Sequence, residues 1–221
     1  MITFIFNLKI GGKLLTFIKT TNASTMLINL KRKSYCYIFT FLELLAIKIN
    51  FFYQLVMKCR KPTILKEIKR TKITSKDRVL VIGCGIFPST SIIIANESNA
   101  QVTGIDNNMN AIHLARSYLC KKRLNKNIFI EYGAGSTYQS QPFDIIIVAI
   151  NAYPIDFILN HLAQTMKSGA RLICRGLNND IPNIISKDEM SQSFVFSSCS
   201  EDPMFFFSTY PATQSFLFIK K

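Results

Sequence analysis

The chain has no tryptophan, only two histidines, and 13 acidic residues against 27 lysines and arginines. With His113 and His161 as the sole imidazoles, and no Cys-x-x-Cys pair among the six cysteines, neither a zinc site nor a Ser/His/Asp triad is supported, and no metal is expected. Cys36, Cys59, Cys84, Cys120, Cys174 and Cys199 read instead as reduced, mostly buried thiols of a cytoplasmic protein. Also missing is an apolar run that could span a bilayer. Tyr35 to Ile47, YCYIFTFLELLAI, has 13 residues and contains Glu43, whereas a spanning helix needs about 20 apolar residues. Ile2 to Met26 lacks a small-residue cleavage site after a long apolar core, so it is not read as a signal peptide, and either Met1 or Met26 can be the start.

The shortage of acid is uneven. Residues 1–70 carry 13 of the Lys/Arg and only Glu43 and Glu67, so +11 of the net +14 lies there and the rest of the chain is close to balanced. Such charge without a nucleic-acid module reads as a solvated face, and no nucleic-acid partner is expected. Two readings of this region stand: a basic, mainly helical cap over the core, or an amphipathic helix on a membrane surface. The second draws on the basic clusters Lys31-Arg32-Lys33 and Lys58-Arg60-Lys61 that flank the apolar run. Pro62 is expected to break the helical pattern, leaving a short helix Thr63 to Arg70 and a boundary near residue 71. The remainder, 71–221, is long enough for one α/β domain.

That domain is organised around Val79 to Ala95, VLVIGCGIFPSTSIIIA. An unbroken apolar run suits a central parallel strand buried on both faces. Gly83, Cys84 and Gly85 then make a tight turn that a ligand can approach closely, and Pro88 opens a helix whose first turn holds Ser89, Thr90 and Ser91. A second strand, Gln101 to Asp106, ends in a carboxylate 23 positions after Gly83, near the interval at which an acid meets a ribose in Rossmann-type sites. Asp106, with Asn107 beside it, is therefore read as a ribose contact, the alternative being a cap for the helix Met109 to Lys122. The expected ligand is S-adenosyl-L-methionine, used as a co-substrate. An NAD site is disfavoured because Phe87 and Pro88 break the dinucleotide glycine pattern.

The rest of the core reads in order. A third strand spans Asn127 to Glu131, followed by Gly133 and Ala134, where the adenine is expected. A fourth, Phe143 to Ala149, leads into Asn151-Ala152-Tyr153-Pro154 at the end of the sheet where open α/β proteins bind substrates. Ala149 is taken as a cofactor contact and Asn151 as a substrate contact. Tyr153 is a candidate proton acceptor, or else it packs over a turn. Ile155 to Lys167 is a helix with an Ile158, Leu162, Met166 stripe, and His161 beside it is a packed or surface residue. A fifth strand, Ala170 to Cys174, precedes Arg175, which either binds a substrate carboxylate or makes a strand-end salt bridge. Two late strands, Ser193 to Ser198 and Ser215 to Ile219, pair antiparallel and complete seven. The fold class is thus α/β, a Rossmann-like seven-stranded class I methyltransferase sheet with an amino-terminal helical cap.

Three separated places resemble the nicotianamine synthases. Gly83-Cys84-Gly85-Ile86-Phe87-Pro88-Ser89-Thr90-Ser91-Ile92 is similar to their G-S-G-x-L-P-x-T-S-I. His161-Leu162 through Met166, Gly169-Ala170, Leu172 and Arg175 is similar to H-L-x-x-x-M-x-x-G-A-x-L-x-x-R. Tyr210-Pro211-Ala212-Thr213 with Ser215, Phe216 and Lys220-Lys221 is similar to their carboxyl-terminal tail. The resemblance implies transfer of the 3-amino-3-carboxypropyl arm of S-adenosylmethionine to a small-molecule amine or amino acid, giving a metal chelator of the nicotianamine type. It also implies a glutamate that handles the acceptor amine, and Glu67 is the acid in that neighbourhood. A small-molecule methyltransferase and a non-catalytic, cofactor-binding copy remain the alternatives.

Overall fold

Two unbroken apolar runs of the sequence, 79–82 and 145–148, pair side by side in the middle of a seven-stranded sheet. The computed structural model describes residues 2–10, 13–21, 37–38, 40–124, 126–177, 180–186, 188–202 and 213–221, and the chain divides into two compact units, Met1–Phe41 and Leu42–Lys221. Cys36, the whole first basic cluster Lys31-Arg32-Lys33 with the stretch around it (residues 22–36) and Tyr210 to Ala212 of the third motif lie outside the described residues.

The first unit is not helical over its described amino-terminal part. Strands β1 (Ile2–Ile10) and β2 (Lys13–Thr21) form an antiparallel hairpin in register from Ile2↔Thr21 to Ile10↔Lys13. Isoleucine, phenylalanine and threonine dominate both segments, and β-branched and aromatic side chains favour the extended chain. The break between units falls thirty residues before the expected boundary, because the helices that follow belong with the core.

In the second unit residues 42–48 are helical (α1), and α2 (Asn50–Thr71) runs without interruption through Pro62. The expected break fails because Val56 and Ile64, on either side of the proline, are buried in the core cluster and hold both halves of the helix in line. Strands β3 (Arg78–Ile82), β4 (Gln101–Asp106), β5 (Ile128–Tyr132), β6 (Ile145–Val148), β7 (Arg171–Leu177), β8 (Phe194–Asp202) and β9 (Thr213–Lys220) form one sheet in the order β5-β4-β3-β6-β7-β9-β8. β3 to β7 are parallel, and β9 enters antiparallel between β7 and β8. Helices α3 (Ser89–Ser98), α4 (Met109–Lys122) and α5 (Ile155–Thr165) make the crossovers. Two short helices that the sequence pattern does not announce, α6 (Asp180–Ile185) and α7 (Asp188–Ser193), lead into β8.

The period-two alternation of each strand assigns its residues to two cores. Val79, Val81, Ile145, Ile147 and Ile173 pack with Val56, Ile64, Phe87, Ile92 and Ile112 on one face. Leu80, Ile82, Ile146, Val148 and Leu172 pack with Ile158, Leu159 and Leu162 on the other. Cys84 and Cys174 are buried, but Cys120 and Cys199 are exposed, fewer buried thiols than the composition suggested. Among the described residues no helix is long and apolar enough to cross a membrane, and no group of His, Cys, Asp and Glu side chains is placed to hold a metal.

Candidate functional site

Where neighbouring parallel strands lead their chains to opposite sides of a sheet, a crevice opens beyond their carboxyl ends. β3 and β6 are that pair here. The ladder between them closes with Ala149 N–H donating to the Ile82 carbonyl at 3.0 Å, and Gly83 and Cys84 N–H both donate to the Ile105 carbonyl at 2.8 and 2.9 Å. Gly83 has φ +81° and Gly85 φ +69°, conformations that side chains rarely adopt. A Cβ on Gly83 would also stand 3.3 Å from Ala149 Cβ.

The half-buried carboxylate of Asp106 is tied to this turn. Its Oδ2 accepts from Gly85 N–H and its Oδ1 from Asn108 N–H, each at 3.0 Å. The helix cap belongs to Asn108, whose side chain accepts from Asn110 and Ala111 N–H at 3.0 and 3.4 Å. A carboxylate has about four acceptor positions, so Asp106 retains two for a ligand. Asn107 is exposed beside it. Gly133 N–H donates to the Asp106 carbonyl at 3.0 Å, and the Ala134 carbonyl turns inward to accept from Thr137 and Tyr138 N–H at 3.0 and 2.9 Å. An acceptor pair for a ribose diol thus stands between the glycine turn and the Gly133-Ala134 loop. The first turn of α3 follows Pro88 and contains no acidic residue; Ser89 N–H donates to the Phe87 carbonyl at 2.7 Å, and the N–H groups after it, with the helix dipole, favour a carboxylate. This donor set fits S-adenosylmethionine.

Two ion pairs flank that first turn. Arg175 clamps Glu67 through a fork, Nε to Oε1 at 2.8 Å and Nη2 to Oε2 at 2.6 Å, while its Nη1 donates to Thr90 Oγ1 at 3.1 Å. Ser215 Oγ adds a bond to Glu67 Oε1 at 2.9 Å, and Glu67 has no exposed surface. Glu67 is therefore a paired, interior carboxylate out of reach of an acceptor amine. Arg175 is engaged by it rather than offered as a fork to a substrate.

The second pair is one that sequence reasoning missed. Arg60 Nη2 donates to Glu43 Oε1 at 2.9 Å and its Nη1 to Ser89 Oγ at 2.6 Å. Glu43 lies over the glycine turn, where a Cβ on Gly85 would meet its Oε2 at 2.9 Å. Burial raises the Glu43 pKa above its usual value, against the lowering effects of Arg60 and of the Phe87 and Ile86 backbone. Burial, then the charges of Asp106 and Glu43, push the Cys84 thiol up, so it stands in the turn as a neutral group. The one available signal was a lone acid inside the run Tyr35 to Ile47, which bears on membrane crossing as readily as on catalysis.

At the other lip, beyond β6, Asn151 is exposed and Tyr153 is 67% exposed at the entry to α5. His161 is a packed residue, its Nε2 2.8 Å from the Tyr138 carbonyl.

Among solved structures, a glutamate-to-glutamine mutant of MtNAS, a nicotianamine synthase, superposes with a TM-score of 0.72 at 17% identity, covering 90% of this chain and 78% of that one. The mutant with S-adenosylmethionine gives 0.68 at 18% identity over 86% and 76%. MtNAS in complex with MTA and tNA gives 0.67 at 19% identity over 86% and 74%. No curated protein matches the chain by sequence. The profile of the ribosomal protein L11 methyltransferase family (PrmA) matches residues 63–204. That span is more than half of the chain and contains the glycine turn, Asp106 and the strand ends around them, so the protein belongs to the PrmA family, with the class I methyltransferase fold of S-adenosylmethionine-dependent transferases.

Proposed function

We propose that the protein transfers the 3-amino-3-carboxypropyl group of S-adenosylmethionine to the nitrogen of a small amine or amino acid, with Glu43 as the proton acceptor. The observation that carries this reading is the Glu43 carboxylate lying over Gly85 in the cofactor turn. Bound there, S-adenosylmethionine supplies a sulfonium whose flanking carbons are electrophilic, and the leaving nucleoside reports which carbon is attacked. Asp106 holds the ribose end, and the first turn of α3 receives the carboxylate at the other end, which fixes the direction of the ligand across the turn.

An acceptor amine arrives as an ammonium and must lose a proton before its lone pair can form the new N–C bond. Glu43 is placed to take that proton, and its raised pKa brings its proton affinity closer to the task. Arg60 holds the carboxylate at the turn through one nitrogen and donates to Ser89 Oγ through the other. This role passes to Glu43 from Glu67, whose carboxylate is consumed by Arg175 and Ser215. Tyr153 and Asn151 serve as rim contacts for the acceptor. The likeness to MtNAS, one of whose structures bears a mutated glutamate, supports the reading at the level of fold.

The family match favours a second reading, methyl transfer from the same site. Purified protein incubated with S-adenosylmethionine and a panel of amino acids and amines distinguishes the two by mass spectrometry. Methylthioadenosine is the expected nucleoside. Enzyme-dependent S-adenosylhomocysteine without methylthioadenosine overturns aminocarboxypropyl transfer and leaves the methyltransferase.

A further inference from the structure

The Glu67–Arg175 pair is an odd thing to bury. A largely desolvated ion pair seldom stabilises a fold more than apolar side chains of the same size, yet this one sits at the carboxyl end of β7, one hydroxyl away from the first turn of α3. Its bonds go beyond the pair: Arg175 reaches Thr90 Oγ1, Ser215 braces Glu67, and Arg70 Nη1 reaches Ser215 Oγ at 3.4 Å. Arg70 is itself anchored on β8 through Ser198 Oγ at 3.1 Å and Ser200 Oγ at 2.8 Å. The chain of contacts thus runs from the far edge of the sheet to one hydroxyl in the first turn of α3.

We propose that Glu67 and Arg175 are positioning residues that hold the Thr90 hydroxyl as a donor to the carboxylate of the amino-acid arm of S-adenosylmethionine. This rests on the cofactor site assigned above. A hydroxyl that accepts from a guanidinium has its own proton turned away from that partner. On Thr90 this proton lies in a helical turn whose N–H groups already favour an anion and which carries no acid of its own. The amino-acid arm bears the only carboxylate of the ligand, while the nucleoside end belongs to Asp106 on the neighbouring strand. The network acts on one end of the ligand and leaves the other alone.

That asymmetry supplies a test that a merely structural role would not pass. S-adenosylhomocysteine carries the amino-acid arm and methylthioadenosine does not, so the affinities of both are measured by calorimetry on the full chain. Thr90→Val is expected to weaken S-adenosylhomocysteine about tenfold, the loss of one hydrogen bond to a charged group, and to leave methylthioadenosine within about twofold. Thr90→Ser, which keeps the hydroxyl, is expected to restore the difference. Arg175→Lys shifts the ratio in the same direction as Thr90→Val, and combining the two adds nothing further. An unchanged ratio in a folded Thr90→Val protein, or equal losses for both nucleosides, overturns the inference. Wild-type protein that binds neither nucleoside overturns the cofactor site itself, a result distinct from those two.

Discussion

Arg60 and Glu67 stand two helical turns apart on α2 and govern adjacent hydroxyls of α3, Arg60 by bonding Ser89 directly and Glu67 through Arg175 to Thr90. A spacing of seven residues returns to nearly the same helix face. One side of one helix therefore braces the first turn of α3, which explains how a segment far from the glycine motif in sequence comes to shape its surroundings.

Removing half of the deeper pair should be costly. Glu67→Ala leaves the largely buried Arg175 charge without its counter-ion and is expected to lose about 3 kcal/mol of stability, the low end for a stranded buried charge. The double variant Glu67→Leu/Arg175→Met should be less damaged than either single change, since no charge is then stranded. Urea denaturation of the three proteins checks the order.

Asp106→Ala should weaken S-adenosylmethionine by at least about tenfold, through loss of the ribose acceptors and of the tether to Gly85. The cap on α4 is Asn108, so the fold should survive. Calorimetry with a circular dichroism control reads both, and an affinity equal to wild type removes Asp106 from the site.

For Glu43→Gln the expectation is the converse: product formation falls at least about a hundredfold while S-adenosylmethionine affinity stays within a few fold. Steady-state nucleoside release and calorimetry separate these. A variant that keeps full activity sinks the assignment of Glu43 as the proton acceptor.

The same residue sets a pH dependence. Glu43 accepts a proton only when ionised, and burial holds its pKa above 4.5, so activity should fall as the pH drops through that raised value. For stability the sign is opposite. A carboxyl raised on folding binds more protons in the native state than in the unfolded state between the two values, so stability declines as the pH rises through that window. Thermal melts of wild type and Glu43→Gln across pH should show the variant gaining ground as the pH rises from 4.5.

Pro62→Ala should stabilise the protein, because alanine restores the amide that proline lacks and relieves the clash with the preceding turn. The exposed position adds no packing change. A higher melting temperature is expected, by a few degrees.

The glycine turn and the acid beside it were legible because their determinants are local. A continuous apolar strand, glycines at positive φ, a proline-opened helix and an acid at the next strand end all follow from short stretches of chain, and Gly83, Gly85 and Asp106 meet where that pattern puts them. The strand count and the antiparallel entry of the last strands were readable for the same reason, since alternation and short connections leave few arrangements.

What the sequence by itself determined, then, was the sheet and the glycine turn; which acid stands over that turn was decided by tertiary structure alone. Glu43 and Glu67 look alike as isolated carboxylates in a basic, partly apolar region. Burial against Arg175 and Ser215 closes one, and placement over Gly85 next to Arg60 opens the other to the turn. Partners 17 to 148 residues distant make that difference, and long-range contacts of this kind leave no periodicity in the chain to be read. Pro62 taught the same lesson in the opposite direction: a strong local breaker was overruled because burial of Val56 and Ile64 on both sides of it holds the helix together.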